Sequence, residues 1–210
     1  MGFRARFKLA WYTVKLDMAD VLLRLLGSSV RKETAAVVGG SPALVVDLLT
    51  GTGSVLIEYA TRFPRARIIA IDMRQNVLDI VRQRMETIGF SGLETITADA
   101  RDLPLADESA DVVNIAFGLH ENDSAARARI LEECHRVLKP GGSLVVTDYR
   151  EVSGVLKSAL MRLYLAIFEP RWIEEIFHGG LEDEVEKAGL EIRTVRLDIT
   201  LTRLILAAKP

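Results

Sequence analysis

From position 43 onward, short β-branched apolar runs alternate with amphipathic stretches, and no other feature limits the possible folds so tightly. "ALVVDLL" has the unbroken apolar character of a strand buried on both faces. The spacing then predicts a helix over 55–63, a strand "RIIAID" and a helix over 75–88 stopped by Gly89. Strands "LETITADA" and "DVVNIAFG" follow, then a helix over 124–138 ended by "KPGG", and a strand "SLVVTDY". A helix over 181–188 and two extended runs, "LEIRTVRLDI" and "TRLILAAKP", close the chain. Parallel neighbours need long crossovers, whereas a terminal hairpin lays one strand antiparallel. The expected architecture is α/β: a Rossmann-like, doubly wound, seven-stranded sheet. It is mainly parallel with one antiparallel strand near the C-terminus, and helices cover both faces.

Before position 40 the pattern is purely helical. Phe3, Phe7, Trp11, Val14, Met18, Val21, Leu22 and Leu25 share one helical face, and "SVRKETAAVV" reads as a second, short helix. Residues 1–40 are therefore expected to form an N-terminal helical cap on a domain spanning 41–210. Helical pieces over 155–168 and 172–177 would make a lid at about 152–180.

At 210 residues the chain can bury the core of one domain. The net charge of −2 argues against a globally basic nucleic-acid binder. Yet residues 1–38 carry seven basic against three acidic side chains, leaving 20 against 26 elsewhere. No apolar run is long and uncharged enough to span a bilayer, and no secretory signal pattern opens the sequence. Cys134 is the only cysteine, so no internal disulfide can form. A reducing cytoplasm is the expected location. No His, Cys, Asp or Glu grouping has metal-ligand spacing, and no metal is expected.

The turn after the first strand, "DLLTGTG", is built for close approach of backbone to a ligand. A phosphate-cradling loop would need Lys-Ser/Thr after its last glycine, and none is present. A dinucleotide turn would need a third small residue where Leu56 stands. Asp72 lies 19 residues after Gly53, at the end of the second strand, where an acid can grip ribose hydroxyls. These features alone leave a nucleoside-like donor and a dinucleotide both open.

"DLLTGTG", "AIDM", "ADARDLPLADESADVVNIAFGLHE" and "RVLKPGGSLVVTDY" occur in an order that resembles the class I S-adenosylmethionine-dependent methyltransferases. Within that superfamily the chain is most similar to the ubiquinone/menaquinone C-methyltransferases, through "IAFGL" and "RVLKPGG". The resemblance implies S-adenosyl-L-methionine as cofactor, held by Asp47, Gly51, Thr52, Gly53, Asp72, Met73, Asp99, Ala100, Ala116 and Phe117. Asp47 would steer the ammonium of the amino-acid arm and Asp72 would take the ribose hydroxyls. Met73 would pack on the adenine, Asp99 and Ala100 would meet its edge, and Ala116 and Phe117 would flank the methionyl part. One departure is Leu49, where the family commonly has glycine or another small residue. Pointing into the sheet packing, Leu49 would leave the site intact; pointing at the ligand, it would weaken or shift the arm.

Because the donor methyl is already activated, the protein must align the acceptor, exclude water and sometimes remove a proton. His120, Asp148 and Tyr149 are the candidate catalytic residues, His120 as base because its ordinary pKa is near neutral. The quinone enzymes carry Arg then Asn where this chain has His120 and Glu121, so the match breaks on the acceptor side. A small or lipid-like, largely apolar acceptor is expected, with C- or O-methylation of a quinone-like ring as the first reading. N-methylation of a small amine or phospholipid headgroup is the alternative. A non-catalytic protein that only holds the cofactor is the alternative of another class. Phe3, Phe7, Trp11, Tyr12, Leu160, Met161, Tyr164, Phe168 and Trp172 are candidate roof residues, though ordinary helix packing explains the same stripes. The basic, aromatic N-terminus also suits a peripheral membrane contact or a homodimer interface.

Overall fold

The computed structural model describes residues 30–150, 176, 180–197 and 202–210. The expected N-terminal amphipathic helix, most of the lid and the roof residues at 3–12 and 160–172 lie outside the described residues. Seven strands form one sheet in the order β3-β2-β1-β4-β5-β7-β6. They are β1 (Leu44–Leu48), β2 (Arg67–Asp72), β3 (Leu93–Thr97), β4 (Ala110–Ala116), β5 (Leu138–Tyr149), β6 (Glu191–Arg196) and β7 (Thr202–Ala208). Strands β1 to β5 pair in parallel, and β7 runs antiparallel to both β5 and β6. The expected topology is thus present.

Alternate side chains of the buried strands feed two separate cores, as a period of two requires. Val46, Leu48, Ile69, Ile71, Val113 and Ile115 face one side. There they meet Ile130, Leu131 and Cys134 of helix α4 (Ser124–Val137) and Leu181 and Val185 of helix α5 (Leu181–Lys187). Val45, Ile68, Ala70 and Val112 face the other side, against Leu56, Tyr59 and Ala60 of helix α2 (Leu56–Arg62). Leu78, Val81 and Met85 of helix α3 (Gln75–Thr87) complete that layer. Helix α1 (Val30–Ala36) joins the same layer through Ala35. Its Thr34 hydroxyl lies 2.9 Å from the Thr147 hydroxyl on β5.

Local signals account for the ends. Gly89 stops α3 at φ +73°, with its N–H on the Glu86 carbonyl at 2.9 Å and the Phe90 N–H on Met85 at 3.0 Å. The Asp123 carboxylate caps α4 by accepting from the Ala126 N–H at 2.8 Å. "KPGG" differs from the expected helix-ending turn. The strand β5 begins at Leu138 directly, and the glycines form an irregularity between the Ala110–Leu138 and Val112–Ser143 pairs. Helices α4 and α5 are also locked ionically. Arg127, only 2% exposed, donates to both Glu184 oxygens at 2.8 and 2.7 Å. Among the described residues, no helix is long and apolar enough to cross a membrane.

Candidate active site

Four loops meet at the carboxyl ends of the central strands, and the strand order reverses between β1 and β4. An open α/β sheet offers a crevice at such a point. The turn after β1 alternates its backbone sense: Leu49, Gly51 and Gly53 have φ of +54°, +53° and +71°. Every second residue is therefore left-handed, which explains the Gly-x-Gly spacing. Gly53 is further constrained, because an added Cβ would sit 3.0 Å from the nearest Val81 methyl. The turn is tied to β2 by Thr50, whose N–H donates to the Ile71 carbonyl at 3.2 Å and whose hydroxyl accepts from Ile71 N–H at 3.1 Å.

Three carboxylates lie near the carboxyl ends of β1, β2 and β3, each in a different environment. Asp47 is buried, with one oxygen accepting from the Asn114 side-chain amide at 2.5 Å. The Tyr59 hydroxyl donates to the Asn114 oxygen at 3.2 Å, so a polar chain runs behind the acid. Burial pushes the Asp47 carboxyl up to about 7, against the lowering pull of the Asn114 bond. Asp72 accepts from Gly51 N–H at 3.2 Å and from Arg74 through its backbone N–H at 3.0 Å and Nε at 3.2 Å. A carboxylate has roughly four acceptor positions, so three donors leave Asp72 room for a ribose hydroxyl. Asp99 is clasped by the Arg101 guanidinium, with Nη2 at 2.5 Å and Nε at 2.9 and 3.0 Å. That fork holds its carboxyl below the usual range, so Asp99 stays ionised. Met73 is 60% exposed beside Asp72, and Ala100 is buried behind Asp99.

Leu49 is the strained member of the turn. A branched side chain in left-handed backbone costs roughly 1–2 kcal/mol, a cost that glycine avoids. Its side chain packs against the core on the α4–α5 face and lies over Gly118, in the gap between the ends of β1 and β4. A Cβ on Gly118 would stand 2.6 Å from the Leu49 Cβ and 2.8 Å from its Cδ1. Leu49 therefore joins the packing and is partly buried.

On the other side, β4 ends at Ala116, and Phe117 also has left-handed backbone, at φ +57°. Two non-glycine residues in this conformation face one crevice, and such outliers concentrate at functional sites. A single 3-10 turn, Leu119–Glu121, then carries His120 inward to 2% exposure. Its Nδ1 lies 2.7 Å from one oxygen of Asp148, which is fully buried on β5. The other Asp148 oxygen accepts from the His120 backbone N–H at 3.2 Å. The Tyr149 ring packs between those of Phe117 and His120, at 5.1 and 5.0 Å between centroids. All three candidate catalytic residues thus meet at one place.

Three partnerships escape a reading of the chain in order. Asn114 is the polar interruption in "VVNIA", a signal that a buried strand needs it for something. Tyr59 and the His120–Asp148 contact carry no local signal, because 55 and 28 residues separate the partners. Cys134 is fully buried and burial pushes its thiol far up, which leaves it inert packing.

A family model described as "Methyltransferase domain" matches residues 45–142. The demethylmenaquinone methyltransferase of Deinococcus radiodurans is 35% identical over 157 residues, covering 72% of this chain and 64% of that one. The ubiquinone/menaquinone biosynthesis C-methyltransferase of Geotalea daltonii is 34% identical over 122 residues, covering 57% of this chain and 51% of that one. The chain thus spans between half and two thirds of the length of these two curated relatives. Among solved structures, a putative O-methyltransferase from Nostoc punctiforme superposes with a TM-score of 0.76 at 21% identity, covering 95% of this chain and 60% of that one. A SAM dependent methyltransferase from Aquifex aeolicus gives 0.68 at 20% identity, covering 86% and 90%. At these identities the structural likeness is one of fold. Strand order, glycine turn and sequence relatives agree: residues 45–142 match a methyltransferase domain, and the chain is similar to the demethylmenaquinone and ubiquinone/menaquinone methyltransferases.

Proposed function

We propose that this chain transfers the methyl group of S-adenosyl-L-methionine to a carbon or oxygen of a small, largely apolar, quinone-like ring, with His120 as the base. The buried His120–Asp148 pair beside the Tyr149 and Phe117 rings carries the reading. With Asp148 accepting from Nδ1–H, the basic lone pair of the imidazole is on Nε2. Asp148 would stabilise the imidazolium that forms as the ring hydroxyl gives up its proton. The electron-rich ring then attacks the methyl carbon in line, the carbon–sulfur bond breaks, and its electron pair stays on sulfur as S-adenosylhomocysteine. The same phenolate is nucleophilic at oxygen and at the adjacent ring carbon; on the carbon path the methylated carbon then loses its own hydrogen as a proton and the ring oxygen takes one back, which restores the aromatic ring.

The donor would lie across the glycine turn. Its ribose would rest on Asp72, its adenine amine at Asp99 and its ammonium toward Asp47, with Thr52 and Ala100 offering backbone. The names of the curated relatives favour a quinone ring as acceptor, while His120 in place of the Arg expected there favours proton abstraction. A helical cap over 1–40 and a lid at 152–180 would close over the acceptor and exclude water.

The test is methyl transfer from methyl-tritiated donor to a panel of reduced naphthoquinones, phenols, small amines and phosphatidylethanolamine vesicles. Label is expected in the reduced quinones. His120→Ala should lower turnover about 100-fold, the usual scale of general-base catalysis, and leave donor affinity within about threefold. Full turnover in that variant, with its melting temperature unchanged, removes His120 from the mechanism. Label confined to the amines or vesicles would replace the quinone reading, and no label in any acceptor would favour a protein that only holds the cofactor.

A further inference from the structure

We infer that Arg127 is a positioning residue for His120, holding the turn that carries the ring through the backbone carbonyl of Asn122. This rests on the reading of His120 as the base. The turn, Leu119–Glu121, is slight: the Glu121 N–H meets the Gly118 carbonyl at 3.3 Å and the Asn122 N–H the Leu119 carbonyl at 3.0 Å. A single 3-10 turn has poor hydrogen-bond geometry and little stability of its own. The Asn122 side-chain amide closes it again by donating to the Gly118 carbonyl at 2.8 Å. Asn122 thus gathers both ends of the segment that holds His120, and its own carbonyl accepts from Arg127 Nη1 at 2.8 Å.

Glu184 aims that bond. Its two oxygens take Nε and Nη2 of Arg127, which fixes the plane of the guanidinium, and in a planar fork the direction of Nη1 follows. A buried ion pair is weak evidence of stabilisation, since the cost of desolvation offsets much of the attraction. A fixed direction is what this one supplies. Helix α5 orients Arg127, Arg127 locates Asn122, and the turn is held at that end while Asp148 grips the His120 ring at 2.7 Å. A base displaced by about 1 Å can lose about 100-fold in rate, so the hold on the turn bears on catalysis.

The test uses Arg127→Lys, which keeps the charge but cannot form the planar fork, with Arg136→Lys as control. Arg136 makes the same kind of fork with Glu133 near the other end of α4, away from the turn. Three readouts are taken on the full chain: melting temperature, kcat and KM with reduced 1,4-naphthoquinone, and the proton resonance of His120 Nδ1–H in its bond to Asp148. Arg127→Lys should lower kcat about tenfold, leave KM and S-adenosylhomocysteine affinity within about twofold, and shift or broaden the His120 resonance. Arg136→Lys should lower the melting temperature with kcat and the resonance unchanged. Glu184→Gln leaves Arg127 in place but loosens its plane, and should lower kcat about threefold with the same change in resonance. It decides the matter if Arg127→Lys does not fold. Unchanged kcat and resonance in the Arg127 and Glu184 variants would overturn the inference, as would a loss of kcat in Arg136→Lys that follows its loss of stability. If wild type transfers no label to this quinol, or His120→Ala turns over at full rate, the base reading fails. The His120 resonance then decides by itself whether Arg127 holds the ring.

Discussion

Asp47 is the residue whose charge depends most on what lies beside it. Burial lifts its carboxyl from the ordinary 3.8 to about 7, so the empty protein holds a proton there that the unfolded chain releases. Between those two values the native state binds more protons than the unfolded state. Stability of the empty protein therefore falls as pH rises from about 4 to about 7 and levels off above. In the proposed placement the donor's ammonium would favour the ionised form, which would reverse the trend for the complex. Affinity for S-adenosylhomocysteine should weaken about tenfold for each pH unit below 7 and stay flat from 7.5 to 8.5, with proton release on binding at pH 6. Calorimetry in buffers of different ionisation enthalpy measures both, and in Asp47→Asn the pH dependence should vanish. A pH-independent affinity in wild type would show that the arm does not meet this acid. At this scale the positions of the candidate site residues in the fold were legible in the sequence. Asp47 lies one residue before the end of β1, Asp72 ends β2, Asp99 follows β3, and Gly51 and Gly53 mark the turn. The tuning was not legible, because burial lifts Asp47 while Asn114 bonds it from across a strand pair, and Arg101 holds Asp99 through both its guanidinium and its backbone N–H.

Between elements, the contact that matters most joins the turn after β1 to the turn after β4. Gly118→Ala forces its new methyl within 2.6 Å of the Leu49 Cβ, so one of the two loops must shift. Overpacking of this kind costs about 1–3 kcal/mol, read as a loss in chemical denaturation. In a Leu49→Gly background the obstructing Cβ is gone, and the same change should cost less than roughly 0.5 kcal/mol. Additive losses would mean that the loops do not touch as described. The elements themselves were readable because their signals are local: β-branched runs for β1 and β2, Gly89 after α3, Asp123 before α4. The β5 start was not, since "KPGG" has the composition of a turn. Pairing with β4 extends the strand through it instead, with Gly141 at φ +75° absorbing the irregularity.

Across the whole molecule, topology does what composition does not. Placing β1 and β4 side by side at the centre brings residues from positions 47 to 149 to one edge of the sheet, where the proposed donor site and the proposed base, His120, lie. Strand–helix alternation forecast that arrangement in outline, since parallel strands leave their carboxyl ends together. It could not forecast the His120–Asp148 pair, which exists only because β4 and β5 are neighbours and a single 3-10 turn folds His120 back over β5. The measurement that bears most directly on the whole scheme is a crystal structure of the chain with S-adenosylhomocysteine. The predicted result places the ribose hydroxyls on Asp72, the adenine amine at Asp99 and the sulfur on the side of the crevice that His120 faces. Density for the compound away from Asp72, or a crevice left empty at saturating concentration, would contradict it.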